Sequence, residues 1–269
     1  MGKRTVVLVF ALVLALGMFN AAQAITNGQP DGDRHPYVGL IVFDDAPGHP
    51  AWRCTGSLLS PTVVLTAGHC TDGAVAARVW FAPDLTDNPE YPFGGKTSVE
   101  AKAVYTYPGF CIGCGGGLPG FDTGDVGVVV LSKRVKLNEY AALPERGLVD
   151  SLPMNTPVTV VGYGVQERLT GQPPHVWTGL RVRLYASSLL VASEFVHSDE
   201  FIKLTANPAQ EKGGTCFGDS GGPDLLGDTN IILAVNSYVT NYNCTGVTYS
   251  NRIDTAELLN WINSFLKAR

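Results

Sequence analysis

A succession of short β-branched and aromatic runs, separated by turn residues, constrains the fold of this chain most. The runs fall at 38–43, 63–66, 78–81, 99–107, 126–131, 158–161, 182–185, 231–235 and 247–253. Between them lie most of the 31 glycines and 17 prolines, the residues that punctuate tight turns. Runs of this length and spacing predict an all-β sandwich or a pair of antiparallel barrels, and they argue against alternating strand and helix. One helix is expected at the C-terminus. Asp254 followed by Glu257 has the form of a cap with its reciprocal partner, and Leu258, Leu259, Ile262, Phe265 and Leu266 recur on one face.

The first 24 residues read as a secretory signal. Lys3 and Arg4 precede an uncharged, mostly apolar run of 14 residues, and Ala22-Gln23-Ala24 has the small-x-small form of a cleavage site. The run is shorter than the roughly 20 residues that span a bilayer, and no later stretch exceeds it. Cleavage after Ala24, secretion to an extracellular or periplasmic space and no stable membrane anchor are therefore expected. The remaining 245 residues carry 17 basic and 24 acidic side chains, a net charge of −7 with no basic run. Nucleic acid is not an expected partner. All six cysteines follow the signal, so disulfides are expected, although six cysteines allow 15 pairings.

Residues 109–124 contain seven glycines and the sequence Cys111-Ile112-Gly113-Cys114. A phosphate-binding loop should open a helix, but a strand-like run follows here. The cysteine pair is half of a zinc site with no second half at suitable spacing. A surface loop closed by a local Cys111–Cys114 bridge is the expectation, with no metal and no cofactor.

Three stretches carry chemistry together: "LTAGHC" at 65–70, "TGDVGVVVL" at 123–131 and "GTCFGDSGGP" at 214–223. Acyl transfer needs a nucleophile, a base that takes its proton and an anion that orients the base. Ser220, His69 and Asp125 supply one of each, with Asp122 a rival for the anion. In this order and context the chain resembles the chymotrypsin/trypsin family of serine proteases. "HPYVGLIVF" at 35–43, "CTGSLLSPTVVLTAGHC" at 54–70, "VVGYG" at 160–164 and the terminal helix extend the likeness over nearly all of the chain after the signal. Gly68 and Gly127 depart from the family pattern, which has alanine at both places. Each lacks only a methyl group, and little effect is expected.

The resemblance implies two packed six-stranded antiparallel β-barrels with the active site in the cleft between them. Residues 25–145 would form the first, carrying His69 and Asp125, and 146–269 the second, carrying Ser220 and the helix. It implies a secreted serine endopeptidase that is monomeric, acts on proteins or peptides and is open to protein inhibitors. The backbone N–H groups of Gly218 and Ser220 would form an oxyanion hole, each donor contributing about 3–4 kcal/mol to lowering the barrier. The ammonium of Ile25, freed by cleavage after Ala24, would pair with Asp219, so that signal removal itself activates the enzyme. The implied bridges are Cys54–Cys70 and Cys216–Cys244. The implied specificity pocket is formed by Gly214, Thr215, Ser237, Tyr238, Val239 and Gly246. Gly214 stands where trypsin-like members carry an aspartate, so a non-tryptic enzyme is expected, with Val239 favouring small or medium apolar side chains. A catalytically silent binding relative and a serine esterase are the alternatives.

Overall fold

The computed structural model describes residues 25, 28–114, 122–165, 179–191, 200–207, 210, 212–241 and 244–267. The proposed signal, residues 1–24, lies outside them. Among the described residues, no helix is long and apolar enough to cross a membrane.

Among the described residues, thirteen strands account for most of the regular structure. In the first half these are β1 (Gln29–Pro30), β2 (Val38–Ala46), β3 (His49–Ser60), β4 (Val63–Thr66), β5 (Ala76–Trp80), β6 (Val99–Thr106) and β7 (Gly127–Leu131). In the second they are β8 (Pro157–Gly162), β9 (Leu184–Val191), β10 (Phe201–Ala206), β11 (Pro223–Leu226), β12 (Ile232–Val239) and β13 (Gly246–Arg252). A one-turn helix, α1 (Gly68–Thr71), follows β4, and α2 (Ala256–Lys267) ends the fold.

Strands β2-β3-β4-β7-β6-β5 close into one antiparallel barrel. Strands β9-β10-β13-β12-β11-β8 form the other, closed by β8–β9 pairing, and β1 is added at β9 through Gln29↔Tyr185 and Pro30↔Leu184. Two six-stranded barrels are thus present, as expected. Small barrels need close strand crossings, and two glycines permit one here. Gly39 and Gly56 face each other in register. A Cβ on Gly39 would lie 2.8 Å from Val79 Cγ1, and one on Gly56 2.7 Å from Ile41 Cδ1.

The main core fills the first barrel with Leu40, Val42, Leu58, Val64, Val79 and Val128 among others. It continues through Val161, Tyr163, Leu225 and Val235 of the second half, so it crosses the junction. A separate core fills the second barrel with Val160, Leu184, Leu204 and Ala234, and Ile25 belongs to it, fully buried. A buried ion pair ties the junction. Arg183 Nε donates to Asp31 Oδ2 at 2.7 Å, while Nη1 donates to Val38 O at 2.9 Å and Phe81 O at 3.0 Å. Removing one member of such a pair typically costs 3–5 kcal/mol.

Asp224 in β11 is fully buried, opposite Val160 and Ala234. Its carboxyl oxygens have no hydrogen-bond partner among the described residues. Burial pushes its pKa up to about 8, and the neighbouring Ser250 hydroxyl opposes this only in part. That hydroxyl donates instead to Asn236 Oδ1, at 3.3 Å.

The terminal helix starts one residue later than its sequence implies. Asp254 does not cap it, because Asp254 is taken by Arg252 Nε at 2.9 Å and by the Val149 N–H at 2.8 Å. The Thr255 hydroxyl accepts from Leu258 N at 3.4 Å in its place. Leu258 and Ile262 are buried, and Trp261, Phe265 and Leu266 pack on the same core.

Candidate active site

Register brings His69 and Asp125 together. Thr66 at the end of β4 pairs with Gly127 at the start of β7. The strands are antiparallel, so the residues after Thr66 and those before Gly127 leave the barrel at the same end. The turn of α1 then carries His69 over Asp125. Asp125 Oδ1 accepts the His69 backbone N–H at 2.7 Å, and Oδ2 lies 2.8 Å from His69 Nδ1. Asp125 Oδ2 also accepts from the Ser237 hydroxyl at 2.5 Å, and the Asp125 N–H donates to Asn251 Oδ1 at 2.8 Å. Asp122 makes no such contact; its Oδ1 accepts the Gly113 N–H.

The electrostatics follow from this enclosure. Asp125 is fully buried. Burial alone would raise its pKa, but the charge and hydrogen bonds of His69, helped by Ser237, outweigh it and hold the carboxyl below its ordinary value. Burial alone would lower His69, but Asp125 outweighs it and raises the imidazole above 6.5. The His69 side chain remains 30% exposed.

Space is short at both departures from alanine, most of all at Gly127. A Cβ on Gly127 would lie 2.6 Å from Ala67 O and from Thr71 Oγ1. One on Gly68 would lie 3.0 Å from both Phe110 Cδ2 and Val126 N. Thr71 and Phe110 thus lie in the space beside these two glycines.

His69 and Ser220 line one cavity of about 580 Å³ with Thr215, Cys216, Phe217, Asn236, Ser237, Tyr238, Val239, Thr240 and Asn241. Gly214 and Gly246 do not line it. No hydrogen bond joins the Ser220 hydroxyl to the imidazole among the described residues, and such bonds commonly tighten only when substrate is bound. Gly214 is tightly backed, because a Cβ there would lie 2.2 Å from Ala206 Cβ.

The loop before β11 carries Gly218 at φ 96°, a left-handed conformation that favours glycine. The N–H groups of Gly218 and Ser220 donate no hydrogen bond within the described residues. Asp219 is fully buried and accepts the Gly164 N–H at 2.7 Å and the Cys216 N–H at 2.8 Å. Burial pushes its pKa up to about 7, against the pull of those bonds and of the Arg53 charge.

All three bridges are formed: Cys54–Cys70, Cys111–Cys114 and Cys216–Cys244. The first ties β3 to α1 and the third braces the loop before Ser220. Cys54 and Cys70 are the sulfur members of a potential metal cluster with His69, but their bond to each other removes them as thiolate donors. Sequence reasoning missed the hydrogen-bonding roles of Ser237 and Asn251. Neither has a local signal, since both act across more than a hundred residues.

The two closed barrels with a cleft between them are the chymotrypsin fold. The Trypsin family model matches residues 26–262, and the chain belongs to that family. "Serine protease 1" of Drosophila melanogaster is 26% identical over 227 residues, 82% of this chain and 77% of the relative. "Chymotrypsin-like elastase family member 1" of Bos taurus is 26% identical over 221 residues, 78% of this chain and 77% of the relative. Among solved structures, HL collagenase superposes with a TM-score of 0.66 at 20% identity, covering 94% of this chain and 100% of its own. Human heparin binding protein gives 0.66 at 18% identity, over 91% and 98%. At these identities the structural likeness concerns the fold alone.

Proposed function

We propose that the chain is a secreted serine endopeptidase that cleaves peptide bonds through Ser220, His69 and Asp125. The observation that carries this reading is the 2.8 Å contact between His69 Nδ1 and Asp125 Oδ2, facing a cavity that Ser220 also lines. With the Nδ1 proton held by Asp125, the Nε2 lone pair is left for the Ser220 proton. The serine oxygen then adds to the scissile carbonyl. His69 passes the proton to the departing amine, and water repeats the sequence to release the acid and restore the hydroxyl. Asp125 stabilises the imidazolium without taking its proton. The unused N–H groups of Gly218 and Ser220 are the donors for the oxyanion.

Substrate choice follows the pocket. The described residues lining the cavity include no carboxylate for lysine or arginine, which supports a non-tryptic enzyme. Phe217, Tyr238 and Val239 supply apolar lining and favour an apolar residue before the cut. The full burial of Ile25 supports the activation reading: cleavage after Ala24 frees an ammonium already anchored by its own side chain in the second barrel.

A second reading, a binding protein without catalysis, is favoured by one solved neighbour whose name describes binding, since one fold hosts both roles. Fluorophosphonate labelling of processed protein decides between them. Modification of Ser220, abolished by His69→Ala, supports the enzyme; an unreactive Ser220 supports the binding protein. Peptides varied at the residue before the cut then define specificity.

A further inference from the structure

The 218–220 segment is gripped from the opposite barrel by one residue. Thr55 in β3 is fully buried, and all of its hydrogen-bonding groups are used. Its N–H donates to Ser220 O at 2.8 Å. Its hydroxyl donates to Gly218 O at 3.0 Å and accepts the Tyr163 N–H at 3.2 Å. Its carbonyl accepts from the Thr66 hydroxyl at 2.8 Å. The next amide after Tyr163, that of Gly164, donates to Asp219 Oδ1. One stretch of backbone, 163–164, thus serves both anchors of the loop: Thr55 from the first barrel and Asp219 from within the loop itself.

We propose that Thr55 is a positioning residue for the oxyanion hole, holding the carbonyls of Gly218 and Ser220 so that the N–H groups of those two residues stay aimed at the cleft. The proposal rests on the serine-protease reading above. Peptide planes are rigid, and the Gly218 carbonyl lies in the 218–219 plane, which joins the two planes carrying the Gly218 and Ser220 N–H groups; the bonds to Gly218 O and Ser220 O therefore fix the planes on either side of the Ser220 N–H and one side of the Gly218 N–H. Any movement of the 218–219 plane would have to break the Thr55–Gly218 bond. Valine at 55 keeps the shape and the backbone bond to Ser220, but it loses the hydroxyl that both donates and accepts. Gly218 O and the Tyr163 N–H then lose a partner together. Losing an oxyanion donor outright lowers kcat about 10²- to 10³-fold, and a displaced one should lose somewhat less.

The test compares wild type, Thr55→Val and Thr55→Ser as processed full-length protein. The readouts are kcat and KM on one peptide substrate and inhibition by a peptide aldehyde of the same sequence, whose adduct carries the oxyanion. Thr55→Val should lower kcat about 10- to 100-fold with KM within about threefold, and aldehyde affinity should fall in parallel. Thr55→Ser should stay within about threefold of wild type throughout. A Thr55→Val enzyme with kcat within about twofold of wild type overturns the proposal. So does a loss confined to KM, or a Thr55→Ser enzyme as impaired as the valine variant. If Thr55→Val does not fold, Thr55→Ala is read by the same thresholds. Failure of wild type to react with fluorophosphonate at Ser220 would remove the protease reading itself, a result distinct from any variant effect.

Discussion

Replacing Asp224 by asparagine should stabilise the protein at neutral pH and leave it unchanged in acid. The side chain is fully buried, its carboxyl oxygens have no hydrogen-bond partner among the described residues, and its pKa is raised from 3.8 to about 8. Between those values the unfolded chain has released its proton while the folded chain keeps it. Stability contributed by this group is therefore complete below about pH 4 and is lost as pH rises toward 8. At pH 7 the gap from 3.8 is about 3 units, and at 1.36 kcal/mol per unit the loss is about 4 kcal/mol. Asparagine matches the shape and polarity of the protonated acid but cannot ionise, so the comparison isolates this linkage. The assay is urea unfolding of Asp224→Asn against its parent from pH 3 to 9, both carrying Ser220→Ala to prevent self-digestion. The difference should rise by about 1.4 kcal/mol per pH unit between 4 and 8 and vanish near pH 3. A flat difference across that interval would mean that the carboxyl ionises in place with a partner, and the argument from its isolation would be wrong.

Two further outcomes are expected. Ser237→Ala removes a 2.5 Å donor from Asp125, leaving more of its negative charge for the imidazole. The His69 pKa should then rise further above 6.5, so the acid limb of the kcat/KM profile moves to higher pH; a limb that moves down refutes the role assigned to Ser237. An alanine added before Ile25 should lower activity at least tenfold with little change in circular dichroism, because Asp219 loses the counter-charge that a free ammonium would supply. In that extended form Asp219 keeps a pKa near 7, so its contribution to stability falls as pH rises from about 4 to 7. Freeing Ile25 should reverse that slope, and urea unfolding of the two forms gives the comparison.

Much of the architecture could be read locally. Strands such as β4 and β7 announce themselves through Val63, Val64, Val128 and Val129, and the residues flanking them carry the candidate base and anion. Strands β10 and β11 were less legible because Lys203 and Asp224 interrupt their apolar character. The helix start was misplaced by one residue because Arg252 and Val149 compete for Asp254, a contest invisible in a sequence window. The same holds for the supports of the site. Thr55 and Gly218 are 163 residues apart, and Asp125 and Asn251 are 126 apart. Nothing near Thr55 marks it, since a threonine in a strand is unremarkable until the opposite barrel is packed against it. The crowding of Gly127 by Thr71 and of Gly68 by Phe110 likewise left no mark in the sequence.

The pairing of β1 with β9, and the place of Ile25 in the core that holds Leu204 and Ala234, bear on how the molecule is assembled. A stretch made early is housed in the half made last. A nascent chain that has completed only its leading barrel still has a loose apolar end, with nowhere to put it until residues beyond 200 emerge. Severing the gene into two halves at the middle would therefore separate that end from its berth, and the trailing fragment would fold around a gap the size of an isoleucine.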